Sequence, residues 1–443
     1  MSLSFHEEAD FRSWGRVVRR PQTVARPAFV GDALAWAAAD KGPRLAVGLA
    51  RSYGDSGLWS DGRLIATPML DRVLAFDPAT GVLRAQAGLS LADLLRLVVP
   101  HGWFVPVTPG TRRVTLGGAV ANDVHGKNHT RAGTFGQWVE GLTLLRSDRG
   151  VIEIGPDHEA DLFNATVGGL GLTGVILDVT MRLAPIRSAY LDVETFPMGS
   201  LGDFFALNAE SLERSEQTVA WIDCTRRGAR IGEGVYTRAD WSASGALTPH
   251  DDRARVVPVE APGFAINPLS LTVFNRLYRT AQLMKPRSAR AHYSSFFHPL
   301  DALEEWNRLY GPAGFYQYQC VVPQTGGPES LKNLLSIIAR STDGSPLVVL
   351  KTFGDLPSPG LMSFPRAGYT LALDFRNRGR PTLDLLSRLD AVVRSAGGAL
   401  YPAKDGRLPR DMLDLGFPRF EQFLTYRDPA CGSDFLTRME RSV

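Results

Sequence analysis

Residues 110–136 read GTRRVTLGGAVANDVHGKNHTRAGTFG, and the rest of the 443-residue chain is arranged around them. Six of these residues are glycine: Gly110, Gly117, Gly118, Gly126, Gly133 and Gly136. Between them lie small side chains and a polar cluster of Asn122, Asp123, His125, Lys127, Asn128 and His129. A backbone needs glycine where it takes positive φ or lies against a ligand, and at this density neither a regular helix nor a strand is expected. A loop this polar normally lies at the surface, and loops held by a rigid scaffold carry function. The flanks, Trp103-Phe104-Val105 and Leu142-Thr143-Leu144-Leu145, are apolar and strand-like. The stretch therefore predicts a wall of close-packed backbone amides facing a large, flat, phosphate-bearing ligand. The alternative is an irregular loop whose glycines serve turn geometry alone.

Two further bends share this chemistry. The apolar run Arg44 to Leu49 leads straight into Ala50-Arg51-Ser52-Tyr53-Gly54-Asp55-Ser56-Gly57. A strand that ends in small residues exposes several backbone N–H groups, which can cradle an anion. It is neither a Walker loop, since no Gly-Lys-Ser/Thr follows, nor a dinucleotide GxGxxG opening a long helix. The third bend, Val167 to Gly174, precedes an apolar strand at Val175 to Leu183. Other elements up to that point are short. Val24 to Ala39 reads as an extended piece and then a helix capped by Asp32, and Ser90 to Val98 as a helix with Ser90 as cap and Asp93 three residues on. Val139 to Ser147 and Val151 to Ile154 form a hairpin around Asp148-Arg149-Gly150.

Near Ile186 the pattern changes. Longer alternating strands (Tyr190 to Phe196, Gln217 to Asp223, Gly314 to Val322, Pro346 to Phe353, Tyr369 to Phe375) alternate with helices (Leu201 to Glu210, Leu300 to Leu309, Ser330 to Ser341, Leu383 to Ala396). This predicts an antiparallel sheet with helices on one side. Arg238 to Phe264 has no period and reads as a long loop. In Phe274 to His292, apolar and basic residues interleave. That suits an acidic lipid surface or a phosphate, though an ordinary solvated helix face is the first explanation of such a pattern. The expected fold is α+β with two domains, the length being too great for one ordinary core. Residues 1–187 form the first domain, 188–398 an inserted second one, and 399–443 return to the first.

Composition narrows the function class. Hydrophobic residues make up 44% and charged residues 21%, and 49 basic against 46 acidic residues leave a net charge of +3, giving no case for nucleic-acid binding. Three scattered cysteines, Cys224, Cys320 and Cys431, match no disulfide framework or metal spacing. With an acidic N-terminus and no long apolar run, the expectation is a cytoplasmic chain without signal peptide or transmembrane segment and without a bound metal.

Arg51-Ser52-Tyr53-Gly54-Asp55, Gly117-Gly118, His125 to His129 and Gly168 to Gly174 resemble the FAD-binding loops of the vanillyl-alcohol-oxidase-type (PCMH-type) flavoproteins. Within them the chain is most similar to the decaprenylphosphoryl-β-D-ribose 2′-oxidases. Phe297 to Asp301, Trp306-Asn307-Arg308, Tyr310 to Phe315, Gln317-Tyr318-Gln319 and Tyr401 to Asp405 extend that resemblance over nearly the whole chain. It implies that FAD lies at the interface of the two domains. The pyrophosphate would rest on Arg51, Ser52, Tyr53, Gly54, Asp55 and Ser56. Further contacts would come from Gly110, Thr115, Leu116, Gly117, Gly118, Asn122, Asp123, Val124, His125, Ile176 and Tyr401. Tyr53 stands where some relatives tether the flavin through a histidine, so a non-covalent FAD is implied. Active-site positions match His125, Lys404, Gln317, Gln319, Lys351 and Arg308. Two positions depart from the family: Ala372 replaces a reactive cysteine, and Phe297 stands where tyrosine is frequent. Implied partners are a lipid-linked phosphosugar substrate, a separate NAD(P)H-dependent keto-reductase that completes an epimerisation, and a peripheral membrane contact.

The chemistry asks for such residues. Oxidising a secondary alcohol removes a hydride from carbon, which the flavin accepts, and a proton from oxygen. Lys404 and His125 are the candidates for the proton. A desolvated lysine is a possible base, and a charged one would stabilise an alkoxide or hold phosphate. Taken alone, His125 reads as a loop-fixing core histidine and Lys404 as half of a surface ion pair with Asp405. Gln317 and Gln319 alternate along one strand and face one side; with Lys351 they would make a polar floor for sugar hydroxyls. The competing enzyme reading is an FAD-linked oxidase of free sugars, alditols or aldonolactones that uses O₂.

Overall fold

The computed structural model describes residues 3–40, 42–251 and 253–441. Three sheets organise it. In the first, strands His6–Glu8, Gln22–Ala25, Arg63–Ala66 and Arg44–Val47 lie side by side in that order, the last three parallel. In the second, Val73–Asp77, Val82–Gln86, Val175–Arg182, Val139–Arg146 and Gly150–Ile154 are antiparallel throughout. The third has eight antiparallel strands in the order Ser288–His292, Tyr190–Met198, Gly234–Trp241, Gln217–Ile222, Val348–Phe353, Gly368–Arg376, Phe315–Val322 and Ala399–Leu400.

The eight-stranded sheet is asymmetric because side chains alternate along a strand. Leu371, Leu373 and Phe375 point into the main core, where they meet Leu331, Leu334, Leu335 and Ile338 of helix Gly327–Arg340 and Leu385, Leu386, Leu389 and Val393 of helix Arg380–Ser395. Each such leucine is worth about 2 kcal/mol of transfer free energy, so this packing fixes the sheet. The intervening Thr370, Ala372 and Asp374 are left on the opposite face.

Several elements differ from the sequence reading. The central stretch does contain regular structure: helices Leu116–Ala121 and His129–Ala132. Thr115 caps the first by accepting from Gly118 N at 3.1 Å. Gly117 serves close packing rather than irregularity, since a Cβ there would lie 2.9 Å from the Ala87 methyl. Ser90 caps helix Leu91–Val98 through Asp93 N, as expected. Asp32 does not cap its helix; the cap position of Val30–Ala39 is Phe29, with Asp32 inside the first turn. Residues 300–309 are not one helix but two 3-10 turns, Pro299–Ala302 and Trp306–Tyr310, split by the short strand Leu303–Glu304 and by Glu305 at φ +54°. Part of the supposed loop from Arg238 is the end of strand Gly234–Trp241, where Arg238 pairs with Glu194 and Glu210. Ala399–Leu400 pairs with Val321 and Cys320 in the eight-stranded sheet, while the terminal helix Asp434–Arg441 returns to the first glycine-rich bend: Asp434 N donates to Leu58 O and Arg438 pairs with Asp55 at 2.8 Å. Among the described residues no helix is long and apolar enough to cross a membrane.

Candidate active site

A cavity of about 890 Å³ separates the glycine-rich bends from the uncovered face of the eight-stranded sheet, within the size range of cofactor sites. On the bend side, Arg51 Nε and Ser56 Oγ are buried and meet no hydrogen-bond partner among the described residues. The Arg51 guanidinium carbon lies over the Trp14 ring, 4.0 Å from its centre. An unmet buried donor costs about 1–3 kcal/mol, so these groups are set for an acceptor from outside the chain, such as phosphate. Next to them, Gly110, Thr115, Gly117, Gly118, Asn122, Val124 and Ile176 line the wall with backbone and small or apolar side chains. Asn122 is fixed from both sides: its Nδ2 donates to Gly118 O at 2.8 Å, and its carbonyl accepts from Tyr401 OH at 2.7 Å. Tyr401 itself stacks on Phe364 at 4.6 Å. Orphaned donors beside a side-chain-poor wall fit a long, flat dinucleotide such as FAD.

Lys404 arrives at this wall from the far end of the chain. Tyr53 N donates to Ala403 O at 3.1 Å. A Cβ on Gly54 would fall 2.5 Å from the Asp405 carbonyl, so only glycine lets the two segments touch. Lys404 Nζ then sits 4.1 Å from the centre of the Tyr53 ring. The surface pair with Asp405 does not form; Asp405 is buried and accepts from Arg407 N at 2.7 Å. Burial pulls the Lys404 ammonium down to about 8, with the Asp374 carboxylate opposing.

The sheet side is a connected polar network. Gln319 Nε2 lies 3.0 Å from His125 Nε2 and 3.2 Å from Thr370 Oγ1. Lys351 Nζ lies 3.3 Å from His125 Nδ1 and donates to Gly126 O at 3.2 Å. Burial, then the Lys351 charge, hold His125 well below its ordinary value, so the ring is neutral. A neutral imidazole carries one N–H. While Lys351 carries its proton it can only donate, which makes Nδ1 the acceptor and Nε2–H the donor; the Gln319 amide then presents its oxygen to His125. Both ring nitrogens are occupied. Burial brings Lys351 itself to about 7.

Of the expected cofactor residues, Arg51, Ser52, Tyr53, Ser56, Gly110, Thr115, Gly117, Gly118, Asn122, Val124, His125, Ile176 and Tyr401 line the cavity, as do Lys404, Gln317, Gln319, Lys351, Phe297 and Ala372. Five others act from behind or lie elsewhere. Gly54 and Asp55 join the bend to the C-terminal segment. Leu116 is fully buried in the core. Asp123, fully buried, accepts from Gly136 N and Ser363 Oγ. Arg308 is outside the lining; its guanidinium donates to Val257 O at 2.9 Å and Pro258 O at 3.4 Å. Asp374 was missed. It faces the cavity, accepts from Gln317 Nε2 at 2.7 Å and Tyr310 OH at 3.4 Å, and burial raises it to about 7. The alternation that turned Gln317 and Gln319 one way also applies to Ala372 and Asp374, and would have found it.

A family model described as an FAD binding domain matches residues 17–155. The chain is 34% identical over 451 aligned residues to decaprenylphosphoryl-beta-D-ribose oxidase of Mycolicibacterium smegmatis, covering 96% of each chain. It is 33% identical to an uncharacterized protein in the mprA 5′ region of Streptomyces coelicolor, over 79% of this chain and 98% of that one. L-gulonolactone oxidase of Mus musculus is a more distant match, 29% identical over 41% of each chain.

Proposed function

The chain belongs to the decaprenylphosphoryl-β-D-ribose oxidase family of FAD-dependent oxidoreductases, and on that premise we propose that it oxidises the 2′-hydroxyl of a polyprenyl-phosphoryl-β-D-ribose, or a similar lipid-linked pentose, to the 2′-keto sugar. Bound FAD supplies the hydride acceptor. The residues of this chain do the rest. The orphaned Arg51 and Ser56 donors take the pyrophosphate, the Gly117–Gly118 wall admits the flat ring, and the FAD is non-covalent, Tyr53 standing where some relatives tether the flavin through a histidine. Lys404 takes the hydroxyl proton: near pH 8 about half of it is neutral. His125, with both nitrogens engaged, orients Gln319 and Lys351 rather than acting as the base. Gln317, Gln319 and Lys351 meet the sugar hydroxyls and the phosphate.

The observation that carries the reading is the position of a tail lysine, Lys404, against the first glycine-rich bend, across one cavity from His125 and Lys351. The finer parts of the proposal rest on the same premise. A separate NAD(P)H-dependent reductase would complete the epimerisation. The FAD-binding part would comprise residues 1–187 and 399–443, with 188–398 as the substrate part, whose sheet strand Ala399–Leu400 completes at the crossover. Peripheral contact with an anionic membrane would run through helix Pro268–Leu283, which exposes Leu269, Val273 and Leu277 beside Arg276.

The test is anaerobic mixing of the FAD-loaded protein with polyprenyl-phosphoryl ribose. Bleaching of the flavin band with formation of keto sugar is expected. Bleaching by free sugars or lactones alone, with steady peroxide in air, would replace the proposal by the free-sugar oxidase reading.

A further inference from the structure

The uncovered face of the eight-stranded sheet changes chemistry across its strand order. Strands Val348–Phe353, Gly368–Arg376 and Phe315–Val322 turn Lys351, Asp374, Gln317 and Gln319 into the cavity. On the other side of Val348–Phe353, four more strands turn Val219, Trp221, Val235, Thr237, Val193 and Ala291 into the same cavity. None of the residues lining it from these four strands, among those described, is ionisable. One register row shows the change: Val235, Trp221, Val349, Ala372 and Gln319 are paired neighbours across five strands. Four strand steps lead from the Lys351 strand to Ser288–His292, about 19 Å at the usual inter-strand spacing.

Helix Pro268–Leu283 roofs this apolar half. Tyr278 stands 4.7 Å from Trp221 and stacks against Phe274 at 6.0 Å, and both roof residues line the cavity. The roof is held by few contacts. Only Leu271 and Asn275 of its sixteen residues are buried. Asn275 Nδ2 donates to Asp223 at 2.7 Å, and Arg279 donates to the carbonyls of Gly234 and Met198. The far end opens where Phe274, Leu277 and Met284 are 45%, 64% and 81% exposed. A slot with an apolar floor and with the Phe274 and Tyr278 rings in its roof ahead of Gln282 and Lys285, joined at one end to a polar site and open at the other beside exposed apolar side chains, is the shape required by a long apolar chain attached to a polar head.

We propose that this gallery, floored by Val219, Val235 and Val193, roofed by Phe274 and bounded where the Tyr278 and Trp221 rings touch, binds the first isoprenoid units of the substrate's lipid chain and leads the rest out beneath helix Pro268–Leu283. The inference rests on the lipid-linked reading above for what stands at the polar end. Its test uses probes that carry no sugar. Dimethylallyl, geranyl and farnesyl phosphate are titrated calorimetrically into the FAD-loaded protein. Affinity is expected to rise roughly tenfold or more from the first to the third, since each added unit buries several methylene groups. Val219→Trp, which fills the gallery, should bring all three probes to the dimethylallyl value; Val235→Thr, which keeps the shape and volume nearly unchanged but adds a hydroxyl, should reduce the gain in part. A wild-type affinity independent of chain length, or a full gain retained in Val219→Trp, overturns the proposal. If Val219→Trp fails to fold, Val235→Thr decides: an unreduced gain there also overturns it. Chain-length-dependent binding without flavin bleaching by any lipid-linked pentose would sink the pentose reading alone. Bleaching with no chain-length dependence would sink the gallery alone.

Discussion

Flavin reduction by substrate should slow about fiftyfold between pH 8 and pH 6, because the neutral fraction of a lysine titrating near 8 falls from about one half to about one hundredth over that interval. The magnitude follows from the position of Lys404. Its ammonium is buried against the Tyr53 ring, which favours the neutral amine, while Asp374 across the cavity partly restores the charge. The assay is stopped-flow bleaching of the flavin band under anaerobic, single-turnover conditions at saturating substrate. Lys404→Met should lower the rate by about 10²–10⁴, the usual contribution of a positioned base, and remove the limb near pH 8. Lys351 and Asp374 also titrate near 7, so the limb is assigned by variant rather than by value: Lys351→Met should slow turnover but keep the limb. A wild-type rate that is flat from pH 6 to pH 8, or a Lys404→Met protein that retains the limb, would refute the reasoning.

Other outcomes follow from single contacts. Asp374→Asn removes the carboxylate that favours the charged lysine, so the same limb should move to lower pH; a shift to higher pH, read in the same assay, contradicts the geometry. Tyr401→Phe deletes the bond to the Asn122 carbonyl and should weaken FAD retention by about 1 kcal/mol, roughly fivefold in Kd, measured by fluorescence titration of apoprotein. Asp55→Ala removes the two charge-assisted hydrogen bonds that tie Arg438 to the first bend and should cost about 2 kcal/mol in urea denaturation. The three native thiols are buried, and burial pushes Cys224 and Cys320 up to about 12. Thiol reagents should therefore spare the folded protein and inactivate Ala372→Cys, whose new sulfur lines the cavity, as followed by activity and mass.

Much of this architecture is written locally. The Ser90 cap with Asp93, the hairpin around Asp148 to Gly150, and the alternation of Gln317 and Gln319 each depend on residues a few positions apart. What stayed hidden depends on distant partners. Glycines at 117 and 118 looked incompatible with a helix, yet Thr115 supplies a cap and Ala87, remote in sequence, supplies the surface they pack against. Arg238 made the end of a strand look like loop, since its neutralising Glu194 and Glu210 come from other elements. Arg308 looked like a substrate ligand because its neighbours do, but the loop at Val257 and Pro258 captures its guanidinium. Asp374 was passed over because a lone aspartate in an apolar strand has no meaning until Gln317, Tyr310 and Lys404 surround it.

Anaerobic single-turnover bleaching with polyprenyl-phosphoryl ribose carrying deuterium at C2′ tests the central claim most directly. Hydride loss from that carbon, beside Lys404, predicts that the deuterated substrate bleaches the flavin several times more slowly than the protiated one and yields a 2′-keto sugar. Equal rates with full bleaching, an isotope effect only from another carbon, or a flavin that stays oxidised would contradict it.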